Sequence, residues 1–487
     1  MKKILFTHSY FLHFDPKQET LGQPYPPLGT LYAAAVMREK GFDVKVHDVM
    51  FEKHASAIQP VLEKEAPDYL VIYDDGFNYL TKMCLTNMRE AAFEMAAIAA
   101  ARGIPVIISS SDSTDHYAQY ISRGVDYVLL GEAEETLAEL MERLQKNLPV
   151  DDSLLGIVYK DAEGSVKKNN RRQVLRDLDL LPIPAWDLLN IEPYKKIWTS
   201  KHGYFMINMG TTRGCPYKCN WCAKPIYGNR YNSRSPRHVV EEIRWLQKNF
   251  SVQHIWFSDD IFGLKPQWVH EFADIIEKEQ IYIRYKIQSR ADLLLQENYV
   301  ADLARSGCTS VWMGAESGSQ KILDAMDKGI TVDDIKIATR LLKKYKIKPS
   351  FFIQFGYLGE EMQDIEQTIH LINEMLPEDI GVSVSYPLPG TRFYEKVKED
   401  LVIKANWMDS DDLDLMFTNT YSPEFYKALH RYVHRNYRKH QAIDSIRNIF
   451  RKTEHGTPPS LRKGMILPYY AFSSWRYKQR LKHMSHA

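Results

Sequence analysis

Apolar positions along this chain fall into two long alternations of strand-type and helix-type periodicity, separated by a stretch that has neither. In the first, KILFTHS opens as a β-rich run. LGTLYAAAVMREKG has one apolar face at helical spacing and stops at Gly41, a residue suited to ending a helix. DVKVHDV and DYLVIYDD follow as strands, CLTNMREAAFEMAAIAAARG as a helix, IPVIISSS as a strand buried on both faces, STDHYAQYISRG as a helix, VDYVLLGE as a strand and EETLAELMERL as a helix. Strands alternating with helices at these intervals predict a doubly wound parallel sheet over residues 1–146. Ligands of such sheets bind at the C-terminal strand ends. Those ends read Thr7-His8-Ser9, Tyr73-Asp74-Asp75-Gly76, Ser109-Ser110-Ser111 and Gly131-Glu132.

Residues 147–200 read as a linker. GIVYK-DAEG-SVKK is a hairpin, and Pro182 and Pro184 in DLDLLPIPAWDLL forbid a long helix. From about residue 204 the second alternation begins, with strands in YFMINMGT, HIWFSDD, YKIQSRAD, TSVWMGAES, SFFIQFGYL and GVSVSYPLPG. Segments such as SPRHVVEEIRWLQKNF and TVDDIKIATRLLKKYK have helical periodicity between them. Six such units predict a partial (β/α)6 barrel over 201–395, with its chemistry at the C-terminal strand ends. A helical, basic region occupies 396–487.

With 487 residues, the chain exceeds one ordinary core, which agrees with this division. No run of 18 apolar residues occurs, so a spanning helix is not expected, and MKKILFTHSYF reads as a first strand rather than a signal peptide. Net charge is +1, but from Tyr421 onward 14 Lys and Arg face three Asp and Glu, leaving −10 for the first 420 residues. That asymmetry points to an anionic substrate or an anionic membrane surface. The plainer alternative is a solvated basic face whose Tyr, Leu and Val side packs on the barrel.

Five cysteines are too few for a disulfide scaffold and suit a reducing cytoplasm. Three of them, Cys215, Cys219 and Cys222, lie in GTTRGCPYKCNWCAKPIYG at C-x3-C-x2-C spacing, just after the first barrel strand. Structural zinc wants a fourth ligand; His202 and His238 are present at unconvincing spacing, and Cys84 and Cys308 are distant. Cys308, in RSGCTS, reads as a buried structural thiol. Three ligands leave one position of an iron–sulfur centre open, with zinc or coincidence as the alternatives.

The loop resembles the radical S-adenosylmethionine (SAM) motif C-x3-C-x-aromatic-C, with Trp221 as the aromatic residue, and the likeness extends over about 204–395. It implies a 4Fe-4S cluster on Cys215, Cys219 and Cys222 whose open iron chelates SAM, and cleavage of SAM to methionine and a 5′-deoxyadenosyl radical. It also implies SAM contacts from Asp259 and Asp260 in FSDD, Ser289 and Arg290 in QSRAD, Glu316 in WMGAESG, Gln354, and the backbone of YPLPGT.

No G-x-G-x-x-G follows the first strand. YPPLGTLYAAAVMREKGFDV, LLGEAEETLAEL and LPIPAWDL together resemble the cobalamin-binding domain and linker of cobalamin-dependent radical SAM enzymes, over about 20–190. The resemblance implies a corrinoid near His8, Leu28, Gly29, Tyr73, Asp75, Ser109, Ser110, Ser111, Gly131, Glu132 and Glu134. D-x-H-x-x-G is missing, so no histidine is expected below the cobalt; Tyr73, Asp75 or Phe77 would approach that face. A sheet that has lost its cofactor is the alternative. A methylthiotransferase-type domain would need three cysteines of its own, and only Cys84 lies there.

The function implied is cobalamin-dependent methylation of an unactivated carbon in a small, lipid-like or tetrapyrrole substrate, with a flavodoxin- or ferredoxin-type electron donor and no nucleic acid. The whole-chain layout resembles the branch of the anaerobic magnesium-protoporphyrin IX monomethyl ester cyclase, so oxidative cyclisation is a second expectation. A non-enzymatic cobalamin or redox sensor is a third, disfavoured by the SAM-contacting strand ends. The expected location is the cytoplasm, with membrane association through the basic C-terminus.

Overall fold

A computed structural model describes the chain except for Asp75, residues 77–84, Pro225, residues 402–412, Asp414, residues 452–460 and residues 485–487. Two compact units result. The first holds Met1–Pro216 and Lys224–Asp260; the second holds Tyr217–Ala223, Ile261–Ala405 and Leu413–Ala487, so far as these are described.

The first unit is built on a seven-stranded sheet: β1 (Lys3–Thr7), β2 (Asp43–Val46), β3 (Tyr69–Tyr73), β4 (Val106–Ser109), β5 (Tyr127–Leu129), β6 (Ile157–Lys160) and β7 (Val166–Lys168), in the order β2-β1-β3-β4-β5-β6-β7. The first five are parallel, and the order 2-1-3-4-5 places a topological switch between β1 and β3. Successive residues of each strand serve opposite faces. Leu5, Leu70, Ile72, Val106 and Ile108 join one core with Phe11, Ile58 and Met95; Ile4, Phe6, Val71 and Ile107 join the other with Ala33, Ala34 and Leu137. Burial on both faces is why these strands read as continuous apolar runs.

The hairpin β6–β7 lies beyond the linker's predicted role: β6 pairs antiparallel with β5 and extends the sheet. Further along, Ala185 N donates to Leu31 O (3.1 Å), and the buried Trp186 donates through Nε1 to Glu242 Oε1 (2.9 Å), so LPIPAWDL is anchored at both ends of the unit's chain. The same unit carries β8 (Met206–Met209), the short antiparallel pair β9 (Thr212–Arg213) and β10 (Asn232–Ser233), and β11 (His254–Phe257), which pairs with β8 in parallel.

In the second unit β12 (Arg284–Ser289), β13 (Cys308–Glu316), β14 (Lys348–Phe355) and β15 (Asp379–Val384) pair in parallel in that sequence. The helices Glu297–Arg305, Val332–Lys344 and Met362–Met375 separate them. Along the chain, β8, β11 and β12–β15 are the six strands of the second alternation, each in a segment predicted to hold one. The C-terminal region is helical: Pro423–Arg451 and Leu461–Met484. The first packs Phe425, Tyr426, Leu429, Val433 and Tyr437 inward, and Tyr437 donates to Pro377 O and Glu378 O (both 2.7 Å). For that helix the plainer reading of the Tyr, Leu and Val face holds.

Candidate active site

Each unit ties down the part of the cysteine loop that it holds. In the first unit, buried Asp259, just past β11, accepts from Thr211 N (2.7 Å), Thr212 N (2.9 Å) and Thr211 Oγ1 (2.5 Å). Burial pushes its carboxyl up to about 6 despite those donors. Asp259 was expected to meet the SAM amino group; the structure instead engages both of its oxygens with the strand that leads into Cys215. In the second unit, Asn220 N donates to Met326 O (3.1 Å), and Asn220 Nδ2 donates to Ala325 O (2.7 Å). Tyr357 donates to Asn220 Oδ1 (2.7 Å).

The thiols of Cys215, Cys219 and Cys222 are half-buried, whereas Cys308 opens β13 in the core, where burial pushes its thiol far up. His202 lies on the carbonyl of Leu21 (3.0 Å) and His238 on Asp179 (3.1 Å). Among the described residues no three His, Cys, Asp or Glu side chains are gathered to hold a metal ion. The fit of a cluster rests on the donor set: three thiols within one loop and cations beside one of them. Arg290, 6% exposed, reaches Cys219 Sγ at 3.8 Å and lies 3.6 Å over the Tyr217 ring. Positive neighbours of that kind suit thiolate ligands.

The remaining SAM candidates of the second unit gather at strand ends. Ser289 ends β12, Glu316 ends β13, and Gln354 precedes the end of β14. Four buried polar atoms there lack a partner: Ser289 Oγ, Gln354 Oε1, Trp221 Nε1 and, just beyond β15, Ser385 Oγ. Buried polar groups are paired in the great majority of cases, so four orphans at the ends of adjacent strands and on the cysteine loop call for a polar ligand. SAM, with its hydroxyls, adenine, ammonium and carboxylate, fits that need.

Glu316 has φ 57°, unfavourable for a residue with a side chain, at a register shift between β13 and β14. Its carboxylate accepts from Lys328 Nζ at 2.8 Å, and both side chains are buried. A Cβ on Gly314 would stand 2.6 Å from Lys328 Nζ and 2.7 Å from Glu316 Oε1, so a side chain there would displace the ends of the pair. Arg290 in turn donates to Lys328 O (2.8 Å) and to Asp292 (3.0 Å). Sequence reasoning missed Lys328, which sits in the turn MDKG with nothing local to mark it. It also missed Trp312 and Phe352, whose rings stack at 4.8 Å on the sheet face opposite the helix-packed Val311, Met313, Phe351 and Ile353. Asp260, in the first unit, is exposed.

A second buried carboxyl supports the end of β14. Glu360 Oε2 accepts from Gly356 N (2.6 Å), and Asn419 Nδ2 donates to Gly356 O (2.5 Å). Burial pushes Glu360 up to about 8. A folded-state value above the ordinary 4.5 means the unfolded chain loses its proton first, so stability falls as pH rises from 4.5 toward 8. The slope reaches at most about 1.4 kcal/mol per pH unit for one group. Melting temperatures across that window are expected to drop less steeply in Glu360→Gln than in the parent; equal slopes would show that Glu360 is not the group responsible.

At the seven-stranded sheet, the described corrinoid candidates line the C-terminal edge. His8 follows β1, Leu28 and Gly29 open the helix Leu28–Glu39, Tyr73 ends β3, Ser109 ends β4, and Gly131 and Glu132 follow β5. Asp75 and Phe77 lie outside the described residues. Buried His8 lies 2.8 Å from Asp48 through Nε2. Burial alone would raise Asp48; the hydrogen bonds from His8, Met50 N and Tyr194 outweigh it and hold the carboxyl low. At the β1–β3 switch, Asp74 accepts from Ser9 N (2.7 Å) and Ser9 Oγ (2.9 Å). Ser110 caps a short helix with Ser113, and Gly131 has φ 72°. Glu132 and Glu134 both bind buried Arg213, Glu134 at 2.6 Å, which ties this edge to the strand preceding the cysteine loop. The small residues Ser109–Ser111 and Gly131, at the C-terminal ends of β4 and β5, suit a cofactor tail, while Glu132 and Glu134 are occupied by the arginine.

Comparison with known proteins adds the family. The radical SAM superfamily model matches residues 209–372, and the B12 binding domain model matches residues 19–141. An uncharacterised methyltransferase of Pyrococcus horikoshii is 28% identical over 407 residues, 82% of this chain and 84% of that protein. The anaerobic magnesium-protoporphyrin IX monomethyl ester cyclase of Synechocystis is 23% identical over 409 residues, 82% of this chain and 78% of the cyclase. Among solved structures, the radical SAM methyltransferase TsrM from Kitasatospora setae, with cobalamin and a 4Fe-4S cluster bound, superposes with a TM-score of 0.67 at 18% identity, covering 82% of this chain and 78% of TsrM. That likeness establishes the fold.

Proposed function

We propose that the chain, whose two matched segments are those of the radical SAM superfamily and of B12-binding domains, is a cobalamin-dependent radical SAM enzyme that methylates an unactivated carbon of a small, lipid-like or tetrapyrrole molecule. The observation that carries the reading is the set of buried, partnerless polar atoms of Ser289, Gln354 and Ser385 at the ends of β12, β14 and β15 and of Trp221 on the cysteine loop. Cys215, Cys219 and Cys222 would hold the 4Fe-4S cluster. Ser289, Arg290, Glu316 and Gln354 would hold SAM, with Asp260 beyond them, and Asp259 would act as a positioning residue for the loop. Ser109–Ser111, Gly131, Leu28, Gly29 and Tyr73 would face cobalamin, with no histidine on the cobalt. When bound, these groups supply reductive cleavage of SAM to a 5′-deoxyadenosyl radical and a methyl donor.

The chain's own residues then orient and exclude. Arg290 presents a planar guanidinium already fixed by Asp292 and Lys328, so little side-chain freedom is lost on binding a carboxylate. The Trp312–Phe352 pair offers an apolar surface on the same face of β14 as Gln354, suited to a hydrophobic substrate portion. An electron donor of flavodoxin or ferredoxin type and contact with an anionic membrane surface complete the proposal. Among the described residues no helix is long and apolar enough to cross a membrane.

Oxidative cyclisation, the activity in the Synechocystis relative's name, is the second reading, favoured by the breadth of that match. Anaerobic incubation with SAM, cobalamin and dithionite, followed by untargeted mass spectrometry, separates the two. Methylation is expected to yield 5′-deoxyadenosine, S-adenosylhomocysteine and a product heavier by one methylene. A product lighter by two hydrogens without S-adenosylhomocysteine would favour cyclisation. Absence of 5′-deoxyadenosine would refute both.

A further inference from the structure

The helix Leu461–Met484 has a surface that the fold does not use. It runs antiparallel to Pro423–Arg451: Gly464 meets Ile446, Ser474 meets Asn436 (3.5 Å), and Arg435 lies 5.0 Å from the Tyr469 ring. Ser474 and Leu481 are buried on that inner side. On the other side Met465, Phe472 and Trp475 are 76%, 63% and 57% exposed, and Tyr469, which Arg435 approaches at the edge, is 54% exposed. Spacings of four, three and three residues set them along one face of the helix. Single exposed apolar residues are ordinary, but four in a row on one helix are not. The charge is as one-sided as the apolar stripe. Residues 461–484 contain six Lys and Arg and no Asp or Glu, and exposed Arg476, Arg480 and Lys482 continue the aromatic stripe toward its C-terminal end.

We infer that this face seats on an anionic lipid bilayer, with Phe472 and Trp475 entering the interface and the basic residues meeting headgroup phosphates. Aromatic side chains with a polar edge favour the headgroup level, and long basic side chains extend from an apolar stem to reach it. A helix that lies in the interface plane combines an apolar face with a Lys- and Arg-rich polar one, as here. Charge complementarity selects the partner: a stripe flanked only by cations, in a region of net +11 on an otherwise acidic chain, fits a surface of like-charged anions better than a second copy of itself. The inference deepens the membrane element of the proposed function and does not depend on the methylation reading.

Full-length protein is tested by co-sedimentation with vesicles of phosphatidylglycerol and phosphatidylcholine in equal parts, and with phosphatidylcholine alone. Binding is expected only to the anionic vesicles and is expected to weaken with salt. Arg476→Gln with Arg480→Gln is expected to weaken it about fivefold for each charge removed, the equivalent of ~1 kcal/mol per basic residue near an anionic surface. Phe472→Ser with Trp475→Ser is expected to reduce it further; because both side chains are exposed, the parent melting temperature should persist. Failure of the parent to bind anionic vesicles, or binding indifferent to both variants, overturns the inference. So does a dimer that Phe472→Ser with Trp475→Ser dissociates while vesicle binding is unchanged, because the face would then be a contact between copies. 5′-Deoxyadenosine formation by the same preparations, without vesicles, reports separately on the catalytic reading.

Discussion

Cys219→Ala is expected to lose the broad visible absorbance of the anaerobically reconstituted protein and to form no 5′-deoxyadenosine above background, whereas Cys308→Ala keeps both. A cluster held by three thiolates has no spare ligand, because its fourth position serves SAM. Removing one thiol leaves two of the loop's three. Cys219 also lies beside a cation, with Arg290 at 3.8 Å. Its loss would leave the guanidinium facing an apolar methyl. Cys308 differs in every respect that matters for ligation: it is buried, it opens β13, and its thiol is pushed up by burial. Replacing it removes packing, with a stability cost of about 0.5–3 kcal/mol, the common range for single substitutions. Iron content, measured alongside absorbance, checks the result. A Cys308→Ala or Cys84→Ala variant that lost iron as completely as Cys219→Ala would overturn the ligand assignment.

Patterns that repeat at short range were legible in the sequence. Continuous apolar runs such as VIIS and YLVIY marked parallel strands because both of their faces are buried, and the cysteine spacing is a local property of one loop. Choices among distant partners were not legible. FSDD offers two carboxylates, and nothing nearby tells that Asp259 turns back to Thr211, 48 positions earlier in the chain. Glu132 and Glu134 stand where a cofactor contact is expected, yet Arg213, about eighty residues on, occupies them. The hairpin β6–β7 was readable as a hairpin, since its turn is local. Its pairing with β5 depends on a register that no turn residue specifies. The helix Glu192–His202 escaped notice within the linker because its sequence, EPYKKIWTSKH, is short and polar and follows a proline-rich segment.

The Glu316–Lys328 pair is expected to separate SAM binding from folding. Lys328→Met removes the cation and leaves Glu316 as an unpaired buried carboxylate at a backbone position already unfavourable for it. Breaking a buried ion pair in this way costs about 3–5 kcal/mol, much of it desolvation of the abandoned charge. Glu316→Gln combined with Lys328→Met removes both charges, so most of that stability is expected to return in urea unfolding. SAM affinity is not expected to return with it. The carboxylate is one of the groups proposed to meet SAM, and loss of a hydrogen bond to a charged partner costs roughly 1.5–3 kcal/mol, about ten- to a hundredfold in dissociation constant. Arg290→Lys should weaken SAM binding similarly, because an ammonium lacks the planar fork that holds Asp292 and the carbonyl of Lys328 while leaving Nη1 to meet a further acceptor. Iron content is expected to match the parent in the Glu316→Gln, Lys328→Met double variant and in Arg290→Lys, as none of the three residues is a cluster ligand. Equilibrium dialysis with SAM on the reconstituted proteins gives the decisive comparison. If the double variant bound SAM as tightly as the parent, Glu316 would be the counter-ion of Lys328 and nothing more, and the unfavourable turn at the end of β13 would serve the fold rather than the ligand.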